Sequence, residues 1–326
     1  MIYVSIYGRL GNQMFQYAFA RSLQEKRKKM GYSDSLVLCF SGVWEAAQNA
    51  ALKDAVTYKN QLIHFYTRDY QQISDSMHPY GDNGEVHRAF IQKVIMRLWG
   101  KYSARQMVYH AEEQTHEKRW QWLLNFFGLI YYSSGFYPFK ISKRWKTILC
   151  RGTFECERYF QDIREELRKE FMVRDEICDW NRLVYERIQR EESVCLAVRC
   201  GDFINNEKNR QLYYVCNPDY YEEAVSRICQ KIECPVFYVF SDDIPWVKEN
   251  IKLPTDTVYE DVRNPVWETF RLMCACKHFI ISNSTLHWWA QYLGTAKNKL
   301  VYAPGKWRVS GSRLDIMQDT WEEIEV

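Results

Sequence analysis

The chain has 326 residues, of which 47% are hydrophobic and 16% aromatic, and its formal net charge is +3. That length allows two domains or one large one, and the apolar fraction is ordinary for a packed globular protein. The charge is too small and too scattered to indicate nucleic-acid binding. The aromatic content suits a cleft for sugars, although a core rich in Tyr and Trp explains it more simply.

The first predicted elements are a buried strand over residues 2–6 and a helix over 12–29. The stretch between them contains Gly8 and Gly11, which permit a tight turn and a close approach of the backbone to a ligand. Asn12 is placed either to cap the helix or to donate its amide outward. A lone Gly-x-x-Gly before a helix is often only a tight connection, so this loop is weak evidence by itself.

The next informative segment is an aromatic run from Trp122 to Tyr132, which is too short to span a bilayer. It is flanked by Lys118 and Arg119 before it and by four basic residues within 140–146 after it. We expect a buried helix of the first domain, and the alternative is an interfacial segment that rests on an anionic membrane surface. The rest of residues 41–148 has too weak a periodicity for detailed prediction.

Beyond a charged stretch at 172–179 the pattern becomes regular. Apolar runs alternate with helices, which is typical of a parallel sheet covered on both faces; the runs are 193–198, 235–240, 257–259, 278–282 and 299–302. The chain is therefore predicted to be α/β, with an N-terminal Rossmann-like domain over 1–175 and a C-terminal one over 176–326.

Three polar clusters each follow one of these predicted strands directly. They are Arg199-Cys200-Gly201-Asp202, Ser241-Asp242-Asp243 and Asn283-Ser284-Thr285. Because the C-terminal ends of parallel strands share one edge, where ligands bind, we expect the clusters to converge. The third cluster also begins a helix, whose N–H groups and dipole favour an anion, and Arg199 offers a guanidinium fork suited to phosphate. Each cluster alone can be a cap or a solvated loop; together they predict a diphosphate site.

The eleven cysteines and the acidic residues give no sign of a metal or redox centre. No Cys-x-x-Cys pair and no Asp-x-Asp sequence occurs, and many metal-dependent nucleotide-sugar transferases use the latter to hold their cation. Asp242 and Asp243 are adjacent and are expected to bind hydroxyl or backbone groups. We therefore expect no metal and no cofactor. The cysteine usage and the absence of a signal-peptide pattern predict a reducing, cytoplasmic setting.

Five motifs resemble those of the bacterial α-1,2-fucosyltransferases, glycosyltransferase family 11. The longest and most specific are GRLGNQMFQYAFARSL and CKHFIISNSTLHWWAQYLG, and GTFECERYF, AVRCGDF and VFSDD fall between them in the family's order. The resemblance implies a GT-B-like pair of facing Rossmann-type domains with parallel sheets. The C-terminal domain would bind GDP-fucose, with the acceptor between the domains. It also implies an inverting, metal-independent transfer of L-fucose from GDP-β-L-fucose, typically to O2 of a galactose.

The chain departs from the family pattern at four positions. Ala197 and Cys200 replace the histidine and the second arginine of the usual His-x-Arg-Arg-x-Asp-Tyr motif. His287 stands where serine is common, and Thr269 stands where an acid is often found. These departures leave two alternatives open, which are a transferase with another donor or linkage and a non-catalytic nucleotide- or glycan-binding homologue.

The resemblance also assigns expected roles. Arg199 and the N–H groups at Ser284 and Thr285 would stabilise charge on the β-phosphate. Asn12 would orient the phosphate or the acceptor, and Asp202 is the candidate general base. The remaining expected contacts to GDP-fucose come from Gly8, Gly11, Ser241, Asp242, Asp243 and Asn283.

The expected partners are GDP-fucose and a galactose-containing surface glycan. An O-antigen or polysaccharide subunit on a lipid carrier fits a bacterial enzyme of this kind. The aromatic segment at 122–132 would then bring the enzyme to the inner face of the cell membrane as a peripheral protein. No nucleic-acid partner is expected.

Overall fold

In a computed structural model, the described residues are 1–50, 55, 57–73, 89–104, 114–132, 135–141, 143–310 and 313–326. They form two compact units. The first comprises Met1–Ile63 and Thr67–Phe171, and the second comprises His64–Tyr66 and Met172–Val326. Each unit is built on one sheet whose strands pair in parallel. The predicted α/β fold class with two parallel sheets is confirmed.

The first unit has a five-stranded sheet in the order β3-β2-β1-β5-β4. Its strands are β1 (Ile2–Ser5), β2 (Leu36–Cys39), β3 (Tyr70–Ile73), β4 (Leu129–Tyr132) and β5 (Ile148–Gly152). The α-helices described in this unit are α1 (Leu10–Lys29), α2 (Ser41–Asn49), α3 (Phe90–Ala104), α4 (Gln114–Phe126) and α5 (Arg164–Glu170).

Helix α1 is the central helix of the first unit. Between Leu10 and Leu23 every residue except Asn12 is buried, which explains why the sequence shows no polar face there. The buried guanidinium of Arg21 is paired with the carboxylate of Glu170 on α5, with Nη2 3.0 Å from Oε1. A buried charge is tolerated only with such a partner, so this ion pair fixes α5 against α1.

The prediction of one buried helix over 122–132 is wrong. Helix α4 ends at Phe126, and Gly128, with φ of +72°, turns the chain into β4. A positive φ is accessible to glycine at little cost, so this residue marks the change from helix to strand. Residues 129–132 are buried in the sheet, whereas Trp122 and Phe126 are exposed.

The second unit has a six-stranded sheet in the order β11-β10-β9-β6-β7-β8. Its strands are β6 (Ser193–Val198), β7 (Val236–Ser241), β8 (Val258–Tyr259), β9 (His278–Ile281), β10 (Val301–Pro304) and β11 (Glu322–Ile324). Its α-helices within the described residues are α6 (Arg182–Arg190), α7 (Gly201–Asn205), α8 (Glu207–Tyr213), α9 (Pro218–Lys231), α10 (Ile244–Asn250), α11 (Val266–Ala275) and α12 (Thr285–Leu293).

Both faces of β6 are buried, as expected for a central parallel strand. Val194, Leu196 and Val198 belong to the core cluster that also contains residues of α9 and α10. Cys195 and Ala197 alternate with them and point to the opposite face. This position at the centre of the sheet brings the C-terminal end of β6 between those of β7 and β9.

Candidate functional site

The predicted polar clusters after β6 and β7 come together at the C-terminal edge of the second sheet. Nη1 of Arg199 lies 2.9 Å from Oδ2 of Asp242, and both side chains are partly buried. The other carboxylate oxygen, Oδ1, accepts the backbone N–H of Cys200 at 3.0 Å. One carboxylate therefore orients the arginine and fixes the loop that carries it.

The lack of a side chain at Gly201 leaves room for the carboxylate of Asp242. A Cβ atom placed on Gly201 would lie 2.6 Å from Oδ2 of Asp242, a distance that real Cβ contacts do not reach. Gly201 is also the first residue of α7, so the loop from Arg199 passes directly over the carboxylate. Any larger residue at position 201 would push the carboxylate away from Arg199.

The thiol of Cys200 is buried beneath this pair. Sγ lies 3.6 Å from Oγ of Ser241 and 3.7 Å from Oδ1 of Asp242. Burial, together with the negative charge of Asp242, raises the pKa of Cys200 to about 12. Where the family pattern has a second arginine, this chain has a neutral thiol at physiological pH.

Ser241 and Asp243 shape the turn that follows β7. Oδ1 of Asp243 accepts the N–H of Trp246 at 3.1 Å and so caps α10. Oγ of Ser241 accepts the N–H of Asp243 at 3.1 Å. These bonds hold the turn in the conformation that presents Asp242, and direct contacts of Ser241 and Asp243 with a donor stay a prediction.

Glu260 belongs to the same edge and was missed by the sequence analysis. It follows β8 directly and accepts the N–H of Ser241 at 2.8 Å and the hydroxyl of Thr269, on α11, at 2.8 Å. Burial raises the pKa of Glu260 to about 7. The signal was present, because Glu260 follows a predicted strand just as the three recognised clusters do.

In the cluster after β9, the side chain of Asn283 and the backbone at the start of α12 have different roles. Asn283 is buried, and its Nδ2 donates to the carbonyl oxygens of Tyr213 at 2.8 Å and Trp307 at 3.0 Å. Its amide thus ties two loops to the sheet edge. Ser284 occupies the N-cap position of α12 without a side-chain capping bond, and Thr285 is the first residue of the helix. The N–H groups of a first helical turn have no partner within the helix and can bind an anion.

His287 lies in the first turn of α12 and is buried. Its Nδ1 is 2.8 Å from Oγ of Ser282. Burial, reinforced by the positive charge of Arg199, lowers the pKa of His287 to about 3. The imidazole is therefore neutral at physiological pH and adds no charge to the site.

Asp202 lies in α7, three residues beyond Arg199, and its side chain is outside the described part of the chain. Its neighbour Phe203 is described. Cζ of Arg199 lies 5.7 Å from the centre of the Phe203 ring, which stacks on Tyr213 at 5.4 Å. An aromatic surface therefore lies beside the guanidinium.

In the first unit, Gly8 has φ of +78°, and α1 begins at Leu10 with Arg9 as its N-cap. The expectation that Asn12 caps the helix is wrong, because Asn12 is already the third helical residue. A Cβ atom on Gly8 would lie 2.9 Å from Cβ of Asn12, so the glycine allows this side chain to pack over the turn. Gly11 is buried in the same turn.

The two glutamines of this motif hold the loop together. Nε2 of Gln13 donates to the carbonyl oxygens of Gly8 at 3.1 Å and Lys59 at 2.8 Å. Oε1 of Gln16 accepts the N–H of Tyr7 at 3.1 Å. Arg9 and Asn12 are thus the polar side chains of the motif that are not buried, and the role of Asn12 in binding stays a prediction.

Within the described residues, no group of three or more His, Cys, Asp or Glu side chains is arranged to hold a metal ion. The helices of the described part of the chain also lack the length and apolar character required to cross a bilayer.

The two parallel-sheet units define a protein of the GT-B fold class. The structure is similar to the crystal structure of NodZ α-1,6-fucosyltransferase soaked with GDP-fucose, with a TM-score of 0.51 over 92% of this chain and 94% of that one. At 14% sequence identity this likeness concerns the fold alone.

The family follows from the sequence match. The profile described as "Glycosyl transferase family 11" matches residues 133–324, which is more than half of the chain. The chain belongs to glycosyl transferase family 11. The resemblance inferred from the motifs is thereby confirmed, and so is the expectation that the protein is a glycosyltransferase.

Three curated relatives show the range within this family. An α-1,2-colitosyltransferase of Escherichia coli is 27% identical over 98% of this chain and 97% of its own length. The O-antigen biosynthesis glycosyltransferase WbnK of Escherichia coli is 26% identical over 98% and 99%. Galactoside α-(1,2)-fucosyltransferase 1 of Saimiri sciureus is 30% identical over 43% of this chain and 41% of its own length. A nucleotide-sugar donor and a glycan acceptor are the substrates of such an enzyme.

Proposed function

We propose that the protein transfers L-fucose from GDP-β-L-fucose to a galactoside hydroxyl with inversion, forming an α-1,2 linkage without a metal ion. The observation that carries this proposal is the ion pair of Arg199 and Asp242 at the strand edge beside the start of α12. In a family 11 chain, we expect the diphosphate at this C-terminal edge of the sheet. Ligands bind at that edge of parallel sheets, and a guanidinium and a helix N-terminus both attract an anion.

Arg199 is the residue that meets the leaving group. As the bond between C1 of fucose and the β-phosphate oxygen breaks, negative charge develops on that phosphate. A guanidinium carries five N–H donors, so its pairing with Asp242 through Nη1 is compatible with a phosphate contact. Because Asp242 already orients the guanidinium, little reorganisation is required when the charge appears.

The backbone of the first turn of α12 is the second source of stabilisation. The N–H of Ser284 donates to the carbonyl oxygen of Ser282 at 2.7 Å, so the expected phosphate donors are in the turn that begins at Thr285. N–H groups at the start of α12 would donate to the same phosphate, and the helix dipole adds a favourable field. These groups and Arg199 together would replace the charge that a metal ion supplies in other transferases. The neutral state of His287 and Cys200 leaves Arg199 as the cation of this cluster.

The acceptor is activated by removal of its proton. In the proposal, the carboxylate of Asp202 takes the proton as the acceptor oxygen bonds to C1 from the face opposite the leaving group. Asn12 would orient the phosphate or the acceptor. If Asp202→Asn kept an unchanged pH–rate profile and full turnover, the base would have to be another group.

A second donor is favoured by a specific relative. The Escherichia coli protein named α-1,2-colitosyltransferase matches nearly the whole chain, and colitose is L-fucose without its 3-hydroxyl group. The departures at Ala197, Cys200 and Thr269 lie on the domain expected to bind the donor. A colitose donor is therefore the alternative to fucose for the same chemistry.

The decisive assay presents GDP-fucose and GDP-colitose separately, with an array of β-galactosides and with EDTA present. Product mass identifies the sugar, and methylation analysis or NMR identifies the linkage. We expect an α-1,2-fucosylated galactoside and undiminished turnover in EDTA. A product made only from GDP-colitose would show that colitose, not fucose, is the sugar transferred. A different linkage would contradict the proposed attachment at O2. Loss of activity in EDTA that a divalent cation restores would contradict the metal-free proposal.

The acceptor in the cell is proposed to be an O-antigen-type glycan on a lipid carrier. The relative named for O-antigen biosynthesis, which matches nearly the full chain, supports this class of acceptor. A cytoplasmic enzyme acting on such an acceptor has to work at the membrane surface. Peripheral contact with the inner face of the membrane is therefore part of the proposal.

A further inference from the structure

Helices α3 and α4 cover the same face of the first sheet. Met96 of α3 and Leu124 of α4 belong to one core cluster with Tyr3, Tyr131 and Leu149 of the strands. On the same inner sides, Gln92 donates to the carbonyl oxygens of Phe127 and Thr147, and Gln121 is buried. The sides of the two helices turned toward the sheet are thus fixed, and the opposite sides face outward.

Large apolar side chains are exposed on the described parts of both helices, residues 90–98 and 120–126, whereas a surface helix usually exposes polar ones. Phe90 and Leu98 of α3 are 80% and 64% exposed, and Trp122 and Phe126 of α4 are 65% and 53% exposed. Ile91 and Trp120 add to the same surface. Single exposed apolar residues are common, but a set confined to two neighbouring helices marks an interaction surface.

A basic segment lies beside this apolar surface, next to Phe126. Lys143, Arg144 and Lys146 are exposed, and Cζ of Arg144 lies 5.8 Å from the centre of the Phe126 ring. Nε1 of Trp145 donates to the carbonyl oxygen of Phe126 at 2.7 Å, which fixes the basic segment beside α4. We call the outer sides of α3 and α4 together with residues 143–146 the aromatic–basic face.

Among the described side chains of this face, all the charged ones are basic. The described side chains of α3, α4 and residues 143–147 include Lys93 and Arg97 besides the basic segment, and they include no carboxylate. A symmetric dimer through this face would bring cations against cations, because a twofold interface pairs a patch with itself. An anionic partner is favoured instead, and Trp and Phe next to Lys and Arg suit the headgroup region of a bilayer.

We propose that the aromatic–basic face docks the protein on an anionic phospholipid surface. Trp122 and Phe126 would enter the interface between headgroups and acyl chains, while Arg144 and its basic neighbours bind the phosphates. Only the purpose of this docking rests on the proposed function, since it would bring the enzyme to a lipid-linked acceptor. The binding itself requires neither donor nor acceptor.

The test is flotation of the intact protein with two kinds of vesicle, phosphatidylcholine alone and phosphatidylcholine with about a third phosphatidylglycerol. We expect binding to the anionic vesicles, weak binding to the neutral ones, and loss of binding in high salt. The double variant Trp122→Ser/Phe126→Ser should reduce binding at least tenfold. The matched control is Leu183→Ser, which removes a 73%-exposed leucine of the second unit and should bind as the wild type does.

Charge-reversal variants test the electrostatic part of the proposal independently. Each Lys or Arg near an anionic surface contributes a factor of about five in affinity, so Lys143→Glu/Arg144→Glu should lower binding by well over tenfold. Circular dichroism melts of all variants confirm that the fold is intact. Turnover of a soluble galactoside should be unchanged in them, which separates docking from catalysis.

Three results would overturn the proposal. The first is a wild-type protein that does not float with anionic vesicles. The second is equal binding by the wild type and the Trp122→Ser/Phe126→Ser variant. The third is a dimer in light scattering that this variant abolishes, which would assign the face to a second copy of the chain. Failure of transferase activity with GDP-fucose would leave all three measurements valid.

Discussion

Arg199 is the residue on which the proposed chemistry depends most. Its removal should lower kcat by a factor of about 10²–10³. This effect is typical of losing a principal hydrogen-bond donor to a developing negative charge. Arg199→Ala and Arg199→Lys should be compared at saturating GDP-fucose. The lysine variant keeps the positive charge but loses the planar fork, so we expect it to recover only part of the loss.

The thermal stability of these variants is the control for Arg199. The ion pair with Asp242 is partly exposed, and such pairs contribute little to the free energy of unfolding. Both variants should therefore melt close to the wild type. An Arg199→Ala enzyme that retains kcat within a factor of two would remove Arg199 from the mechanism.

Glu260 provides a pH-dependent prediction at the same scale. Burial raises the pKa of this carboxyl from 4.5 to about 7, so the folded state binds its proton more tightly than the unfolded state. The stabilisation by Glu260 is therefore complete below about pH 4.5 and is lost as pH rises toward 7. In Glu260→Gln, which does not titrate, this contribution is absent at every pH.

Urea denaturation between about pH 5 and pH 8 measures this effect. The free energy of unfolding of the wild type should fall relative to that of Glu260→Gln as pH rises, by up to about 3 kcal/mol. Thr269→Val removes a hydroxyl that donates to Glu260 and favours its charged form, so the fall should move to higher pH. Parallel stability curves for wild type and Glu260→Gln would show that the carboxyl has an ordinary pKa.

At the scale of elements, the turn between β1 and α1 depends on Gly8. Gly8 and Gly31 both have positive φ, +78° and +89°, but only Gly8 has Asn12 packed where a Cβ would lie. Gly31→Ala should cost about 1 kcal/mol of stability from backbone strain alone and leave turnover unchanged. Gly8→Ala should cost more and should also lower kcat/KM, because it displaces Asn12.

The comparison of these two alanine variants separates the effect of displacing Asn12 from the effect of backbone strain. Chemical denaturation gives the stability difference, and initial rates give kcat/KM. Equal losses of stability with equal activity would mean that Asn12 has no role beyond the turn.

The elements of the second unit were the most predictable from sequence. Its central strands are continuous apolar runs that end in polar clusters, so β6, β7 and β9 follow the expected ranges within one residue at each end. Strand β11 was not predicted, because Glu322–Ile324 is short, two of its three residues are exposed, and its pairing with β10 is set by tertiary structure.

The elements of the first unit were harder to predict for a physical reason. From Leu10 to Leu23, helix α1 is buried on all sides except at Asn12, so it has no polar face from which to locate its start, and the prediction began it two residues late. The run 122–132 is apolar except at Asn125 and Gly128, and apolar character alone does not separate a helix from a strand. Gly128 was visible in the sequence, but its positive φ was not.

The candidate site also contains some features that the sequence could predict and some that it could not. The convergence of Arg199 and Asp242 follows from topology, since both end neighbouring strands of a parallel sheet. The sequence could not reveal that Asn283 uses its amide to tie loops together, because a residue type does not specify its partner. Glu260 follows the predicted run 257–259, but a single acidic residue after a strand does not reveal that it is buried and bonded to Ser241 and Thr269.

At the scale of the whole molecule, two parallel-sheet units and five family motifs describe a family 11 glycosyltransferase. The polar groups at the C-terminal edge of the second sheet supply a guanidinium, a carboxylate that orients this guanidinium, and the N–H groups at the start of α12. The proposed independence of a metal ion rests on the C-terminal edge of this sheet holding the diphosphate by itself.

A crystal structure of the protein with GDP, grown in EDTA, tests that claim most directly. We predict the β-phosphate within hydrogen-bond distance of the Arg199 guanidinium and of backbone N–H groups in the first turn of α12, which begins at Thr285. A nucleotide bound away from Arg199 and Thr285, or bound only after a divalent cation is added, would contradict it.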